Sequence, residues 1–160
     1  MTVYCLDTNV FIQAWNDYYA IDQCPEYWDI LDQLAKDKQV FCPEEVQREI
    51  DKHDDGLAVW LKARKHFVHD ITVEVQERLR IVLNAFPRLV DSKKDRSMAD
   101  PWIIAHAMAE GASIVTKEMP VGENARAPKI PDVCNHFSID WMNDFQLARE
   151  LGIRFSARRA

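Results

Sequence analysis

Acidic residues at the ends of apolar segments are the features of this sequence best suited to chemistry. Asp7 follows the apolar residues 3–6, and Thr8 and Asn9 stand directly behind it. Ligands of open α/β sheets bind at the carboxyl ends of strands, so a carboxylate there is a natural ligand for a hard cation. Considered alone, Asp7 also fits a helix cap or a contact to a nucleotide.

Three more acids occupy comparable places. Glu118 follows a second strand-like segment, Asp100 stands at the start of a helical segment, and Glu49 lies on a helix entered directly from a strand. Carboxylates that converge without a cation repel one another and raise their own pKa values. We therefore expect Mg²⁺ or Mn²⁺ among them, held by a few protein oxygens, water and a substrate phosphate. Such an ion can activate water against a phosphodiester.

The elements that must position these acids alternate along the chain. Short strands are predicted over residues 3–6, 38–42 and 112–116, with a further one at Lys129 and Ile130. Helices are predicted over residues 10–15, 25–35, 43–53, 57–67, 72–86, 100–110 and 140–151. This order predicts an α/β fold in which a short, mostly parallel sheet is covered by helices on both faces. We expect one domain over residues 1–160, with residues 138–160 forming a C-terminal helix and basic tail.

Composition excludes several classes of protein. The net charge of −6 over 160 residues argues against a simple basic nucleic-acid binder. No apolar run approaches the roughly 20 residues of a membrane span. The four cysteines form no C-x-x-C pair, which argues against a zinc site or a disulfide framework. Because the first strand begins close to Met1, we expect no signal peptide and a cytoplasmic protein.

Four segments together carry a resemblance to a known family. They are LDTNVFI at residues 6–12, PEEVQREI at 43–50, ADPWIIAHA at 99–107 and IVTKE at 114–118. In order and spacing they resemble the PIN-domain nucleases, the fold of the VapC-type toxins of bacterial toxin–antitoxin pairs. VTKE followed by KIPDVC at residues 129–134 resembles a PIN-like subfamily with glutamate where many PIN domains have aspartate.

The resemblance implies a three-layer PIN-like fold and an endoribonuclease that uses Mg²⁺ or Mn²⁺. It also implies a homodimer and a cognate antitoxin partner. It assigns the metal to Asp7, Asp100 and Glu118, with Glu49 as the acid on the helix. Thr8, Asn9 and Thr116 take supporting roles. Asp132 stays an alternative to Glu118, Asp95 is a further neighbour of the third motif, and Glu45 stays an alternative to Glu49.

Other interpretations stay open at this point. Asp100 precedes Pro101 and fits a helix N-cap without any chemistry. Lys93, Lys94, Arg96 and Lys117 are the candidates for contacts to RNA phosphates. Lys62, Arg64 and Lys65 fit a solvated face better. The main alternative function is a PIN-like module that binds protein or RNA without cleaving it. A Rossmann-type nucleotide binder is disfavoured because no G-x-G-x-x-G follows the first strand.

Overall fold

The computed structural model describes residues 1–90 and 98–160 of the chain. Within them the strands are β1 (Tyr4–Leu6), β2 (Val40–Pro43), β3 (Val68–His69), β4 (Ser113–Val115) and β5 (Trp141–Met142). The α-helices are α1 (Thr8–Gln13), α2 (Pro25–Lys36), α3 (Glu44–Asp51), α4 (Gly56–Lys62), α5 (Val73–Ala85), α6 (Asp100–Glu110), α7 (Ile130–Phe137) and α8 (Asp144–Glu150). A π-helical segment, Ala14–Tyr18, continues α1, and a 3-10 turn, Lys65–Phe67, leads into β3.

The strands form a parallel sheet in the order β3-β2-β1-β4-β5. Tyr4 of β1 pairs with Val40 on one side and with Ser113 on the other. The strand order therefore reverses between β1 and β4, and open α/β sheets bind ligands outside the carboxyl ends of their strands at this point. The predicted fold class, a short parallel sheet flanked by helices, is confirmed.

The sheet and the helices on it enclose an apolar core. Every residue of β1 and of β4 is buried, which explains why neither strand alternates between apolar and charged residues. Trp28, Phe11 and Phe41 are among the largest fully buried side chains. Helix α6 contacts β1, β2 and β4 and buries both Ile103 and Ile104. The elements that lead into the carboxyl edge of the sheet are therefore anchored in the core.

The sequence misplaces several boundaries near short strands. Lys129 and Ile130 do not form the expected strand, because Ile130 begins α7 and Asp132 accepts the backbone N–H of Lys129 at 2.7 Å. The helix expected over residues 57–67 ends at Lys62. The helix expected from residue 140 begins at Asp144, and Trp141–Met142 instead pair with β4. Strands of two residues carry too little periodicity to be read from a sequence.

No helix in the described ranges is long and apolar enough to cross a membrane. The longest, α5, has 13 residues. Cys5, Cys42 and Cys134 are buried and Cys24 is half-buried, and all four are free thiols.

Candidate functional site

A cleft of about 280 Å³ opens at the carboxyl ends of β1 and β4. We call it the acidic cleft, and its lining residues are Asp7, Thr8, Asn9, Ile12, Gln13, Glu49, Asp100 and Glu118. The four acids that the sequence selects therefore lie around one space, although they are up to 111 positions apart in the chain. Sequence reasoning missed Ile12 and Gln13. Gln13 lies one helical turn after Asn9 on α1, and this spacing could have revealed it.

A larger depression of about 420 Å³ lies at the opposite edge of the sheet. Thr2, Ser113 and Asp140, which precede or begin β1, β4 and β5, contribute to its lining. It lies at the amino ends of the strands, where parallel sheets do not gather their ligands. We therefore take the smaller acidic cleft as the candidate functional site.

Asp7 lies at the centre of the hydrogen bonds in the acidic cleft. It caps α1, since its Oδ1 accepts the Thr8 N–H at 2.7 Å, and its Oδ2 accepts the Thr116 hydroxyl at 2.7 Å. The residue is only 4% exposed. Burial raises the pKa of Asp7 to about 7, and the charges of Glu118 and Glu49 raise it further. The two hydrogen bonds from Thr116 and Thr8 lower the pKa but do not cancel the rise. Asp7 therefore caps α1 and lines the acidic cleft at the same time.

Glu49 connects three elements around the cleft. Its Oε2 accepts the Thr8 hydroxyl at 2.6 Å, and its Oε1 accepts the backbone N–H of Ala99 at 3.1 Å. Glu45, one turn earlier on α3, accepts from Arg48 at 2.9 Å and does not line the cleft. Of the two glutamates that the sequence leaves open, Glu49 is the one in the acidic cleft.

Asp100 is 7% exposed and is the first residue of α6. The N-cap of that helix is Ala99, one residue earlier, and no side chain caps it. The alternative in which Asp100 serves as the N-cap is therefore wrong by one position. Pro101 occupies one of the first two helical positions, where its missing N–H costs nothing.

Glu118 enters the cleft from the segment after β4. Its backbone N–H donates to the Thr116 hydroxyl at 3.1 Å, and its Oε2 accepts the N–H of Ile130 at the start of α7 at 2.9 Å. Thr116 thus lies between Asp7 and Glu118 and hydrogen bonds to both.

Asp132 is only 3% exposed, and its carboxylate accepts backbone N–H groups of the segment between β4 and α7. Its Oδ1 accepts the backbone N–H groups of Val121 and Gly122, at 3.0 and 2.7 Å. Its Oδ2 accepts the N–H of Lys129 at 2.7 Å. Asp132 does not line the acidic cleft, so of the two candidates for the fourth acid only Glu118 faces this space.

The predicted phosphate contacts have different outcomes. Lys93, Lys94, Arg96 and the nearby Asp95 lie outside the described residues. The ammonium of Lys117 is held inside the fold, 2.6 Å from Oδ1 of Asp144, so in this structure it does not extend toward the cleft. Lys62 and Lys65 are exposed, as expected of a solvated face. Arg64 is half-buried instead, 3.3 Å from an Asp32 oxygen and over the ring of Trp60.

The donor set of the cleft suits a hard divalent cation. It offers carboxylate, hydroxyl and amide oxygens. Burial, together with the charges of Glu118 and Glu49, raises the pKa of Asp7. Among the residues that the structure describes, no three acidic, imidazole or thiol groups converge tightly enough to bind one ion together. Mg²⁺ accepts such a site, because it keeps several waters and binds through one or two carboxylates.

Two solved structures are similar to the fold of this chain. A chain of VapBC2 from Rickettsia felis, crystallised with a DNA fragment from its promoter, aligns at a TM-score of 0.51 and 19% identity, covering 89% of this chain and 98% of that chain. A chain of VapBC-1 from nontypeable Haemophilus influenzae aligns at a TM-score of 0.52 and 14% identity, covering 89% and 98%. These likenesses confirm the predicted PIN-like fold.

Sequence comparison points to a family without an assigned activity. No curated protein matches this sequence. The family model described as a domain of unknown function, DUF4411, matches residues 4–155, which is nearly the whole chain. The chain therefore belongs to the DUF4411 family, and its fold is similar to the PIN-like fold of the two aligned VapBC chains.

Proposed function

We propose that this protein is a metal-dependent endoribonuclease that hydrolyses RNA phosphodiesters. The observation that carries the proposal is the meeting of Asp7, Glu49, Asp100 and Glu118 in one cleft at the point where the strand order reverses. Four acids in one small space are unfavourable for stability alone, because their charges repel. A bound cation would offset the repulsion between the four acids, and a phosphodiester would be the substrate on which the cation acts.

Asp7, Asp100 and Glu118 would surround the ion, with one or two of these carboxylates bound to it directly and the others reached through its water molecules. Glu49 would lie beside them in the same cleft. Mg²⁺ or Mn²⁺ bound there would stabilise negative charge on the phosphodiester and lower the pKa of a water molecule. Because its pKa is about 7, Asp7 exchanges a proton near neutral pH, and cation binding would favour its ionised form. Thr8 and Thr116 would orient Glu49 and Asp7 through the hydrogen bonds already described.

A toxin role with an antitoxin partner is the biological setting we favour. Its support is the likeness to chains of two VapBC complexes, together with the PIN-like fold. We further propose that the RNA backbone contacts the basic residues Lys93, Lys94 and Arg96, which adjoin Asp100 in the chain. A homodimer and a cytoplasmic location belong to the same proposal.

The test is RNA cleavage by the full chain with Mn²⁺ or Mg²⁺. Asp7→Asn and Asp100→Asn should each lower cleavage by at least about a hundredfold, since each removes a charged ligand. Glu49→Gln should also lower cleavage, whereas Glu45→Gln, one turn away on α3 and outside the cleft, should leave it unchanged.

Two outcomes would count against this function. Equal cleavage by the native chain and both aspartate variants would identify a different site or a contaminant. Tight RNA binding without cleavage under any divalent metal would favour the second candidate, a PIN-like binding module.

A further inference from the structure

The buried ion pair between Lys117 and Asp144 is unexplained by the function proposed above. Nζ of Lys117 lies 2.6 Å from Oδ1 of Asp144, and the two side chains are 14% and 0% exposed. The same ammonium lies 3.9 Å from the ring centroid of Phe145 and 5.0 Å from that of Tyr18. An aromatic face attracts a cation, so the Lys117 side chain is held from several sides.

Asp144 has both of its carboxylate oxygens occupied. Lys117 donates to Oδ1, and the Tyr18 hydroxyl donates to Oδ2 at 2.6 Å. The pair therefore joins the segment after β4, the π-helical segment after α1 and the first residue of α8. Ion pairs that leave water lose hydration energy, and apolar replacements are often as stable. Stability alone is thus a weak reason for a charged pair at this place.

The pair holds the backbone segment that carries Glu118. The backbone N–H of Lys117 donates to Oδ1 of Asn9 at 3.1 Å, and both Asn9 and Glu118 line the acidic cleft. On one side of Lys117, Thr116 donates to Asp7. The Lys117 side chain then ties this segment to α8, whose residues do not line the cleft. Besides the ion pair, this segment is held by the contacts within the cleft, by the Ile130 N–H that donates to Glu118, and by the Thr116 N–H that donates to the Met142 carbonyl at 2.9 Å.

We propose that Lys117 and Asp144 are positioning residues that hold Glu118 and Asn9 against Asp7, so that α8 sets the metal affinity of the acidic cleft. This inference rests on the proposed metal-dependent function. It assigns Lys117 to the inside of the fold and not to an RNA phosphate. It also gives α8, which contributes no residue to the cleft lining, a role in the reaction.

The test compares Asp144→Asn with the native full chain. We expect the Mn²⁺ dissociation constant, measured by titration calorimetry, to rise about 10- to 100-fold, the usual effect of losing a partner behind a metal ligand. In RNA cleavage we expect kcat to fall while KM stays within about twofold. In the metal-free protein, the Lys117 amide should exchange its hydrogen at least about tenfold faster, because the backbone segment is less constrained.

Asp32→Asn is the matched control, since Asp32 also pairs with basic side chains, those of Lys36, Arg64 and His66, but does not line the cleft. It should leave Mn²⁺ affinity and Lys117 exchange unchanged. Equal changes in both aspartate variants would mean a general loss of stability and would overturn the proposal. If Lys117→Met raises the KM for RNA while Asp144→Asn keeps normal Mn²⁺ affinity and a normal KM, Lys117 contacts RNA, and this result would overturn the proposal as well.

A second variant covers the case in which Asp144→Asn does not fold. Lys117→Met combined with Asp144→Leu removes both charges and keeps apolar volume, so it should fold and still bind Mn²⁺ more weakly. If the native chain binds no Mn²⁺, the proposed function fails, whereas amide exchange still reports on the ion pair. If the native chain binds Mn²⁺ and every variant binds it equally, only the positioning role fails.

Discussion

Asp7 is the residue at which stability and chemistry conflict. Both of its carboxylate oxygens accept hydrogen bonds, yet its pKa rises to about 7, because burial and two nearby acids outweigh those bonds. Ionisation of a group whose pKa is raised by folding destabilises the folded state. Residues that reduce stability in this way concentrate at functional sites.

Asp7→Asn should stabilise the metal-free protein at pH 8. Because the pKa of Asp7 in the folded state is about 7 against an ordinary 3.8, native stability falls as the pH rises from about 4 to 7. The amide never ionises, so we expect an advantage of about 2–4 kcal/mol in the free energy of unfolding at pH 8, shrinking toward zero near pH 4. Urea unfolding in a chelator measures both values. An advantage of the same size at both pH values would contradict the raised pKa.

Glu118→Gln and Asp132→Asn should separate metal binding from folding. Glu118 faces the cleft, so its variant should bind Mn²⁺ at least about tenfold more weakly. Asp132 accepts three backbone N–H groups, and an amide has only one accepting oxygen. Its variant should lose about 1–3 kcal/mol of stability and keep its Mn²⁺ affinity. Calorimetry measures the Mn²⁺ affinity of each variant, and urea unfolding measures its stability. Weaker Mn²⁺ binding in Asp132→Asn with normal binding in Glu118→Gln would make Asp132 the fourth acid.

At the scale of elements, the four acids of the cleft come from four places in the fold. Asp7 precedes α1, Glu49 lies on α3, Asp100 begins α6 and Glu118 follows β4. Direct hydrogen bonds join these elements, since Glu49 accepts from Thr8 on α1 and from Ala99 before α6. The cleft therefore depends on where each helix begins and ends.

The C-terminal ends of α6 and α7 have the same backbone conformation, so opposite substitutions at the two ends should have opposite effects on stability. Both helices end in a left-handed residue, Gly111 at φ 65° and Ser138 at φ 56°. Only glycine adopts this conformation without steric cost. Gly111→Ala should therefore lose about 1 kcal/mol of stability, and Ser138→Gly should gain about 0.5–1 kcal/mol. Urea unfolding of both variants measures the changes. Destabilisation by Ser138→Gly would show that its side chain matters more than its backbone strain.

At the scale of the whole molecule, the proposed function requires an acidic protein to bind an acidic polymer. The net charge is −6, and the ammonium of Lys117 is already bound to Asp144. Phosphates are attracted to local positive potential, and a bound divalent cation offsets part of the negative charge of an acidic cleft and binds phosphate oxygens itself. RNA affinity should therefore depend on the metal as well as on basic side chains.

A 2′-O-methyl RNA that resists cleavage should bind at least about tenfold more tightly with Mn²⁺ than with a chelator at equal ionic strength. Fluorescence anisotropy measures the two dissociation constants. The Glu118→Gln variant is the control, and it should lose most of the gain. Equal binding in both conditions would place the RNA on a basic surface away from the acidic cleft.

The sequence by itself determined the local features. Apolar residues before Asp7, helix-breaking residues such as Gly111, and the spacing of the acids predicted the α/β fold and the four acids that line the cleft. These features depend on neighbours within one or two turns of the chain, and such interactions are visible in a sequence. The predicted roles of these acids stay predictions until the variants are measured.

Only the tertiary structure decided which side chains share a space. Glu45 and Glu49 look alike in the sequence, and α3 turns only Glu49 toward Thr8. Asp132 is buried but binds the backbone of its own loop, and Lys117 meets Asp144 from α8. Each choice depends on contacts between residues far apart in the chain. Such contacts are fixed by how helices and strands pack on the sheet, and local periodicity carries no information about that packing.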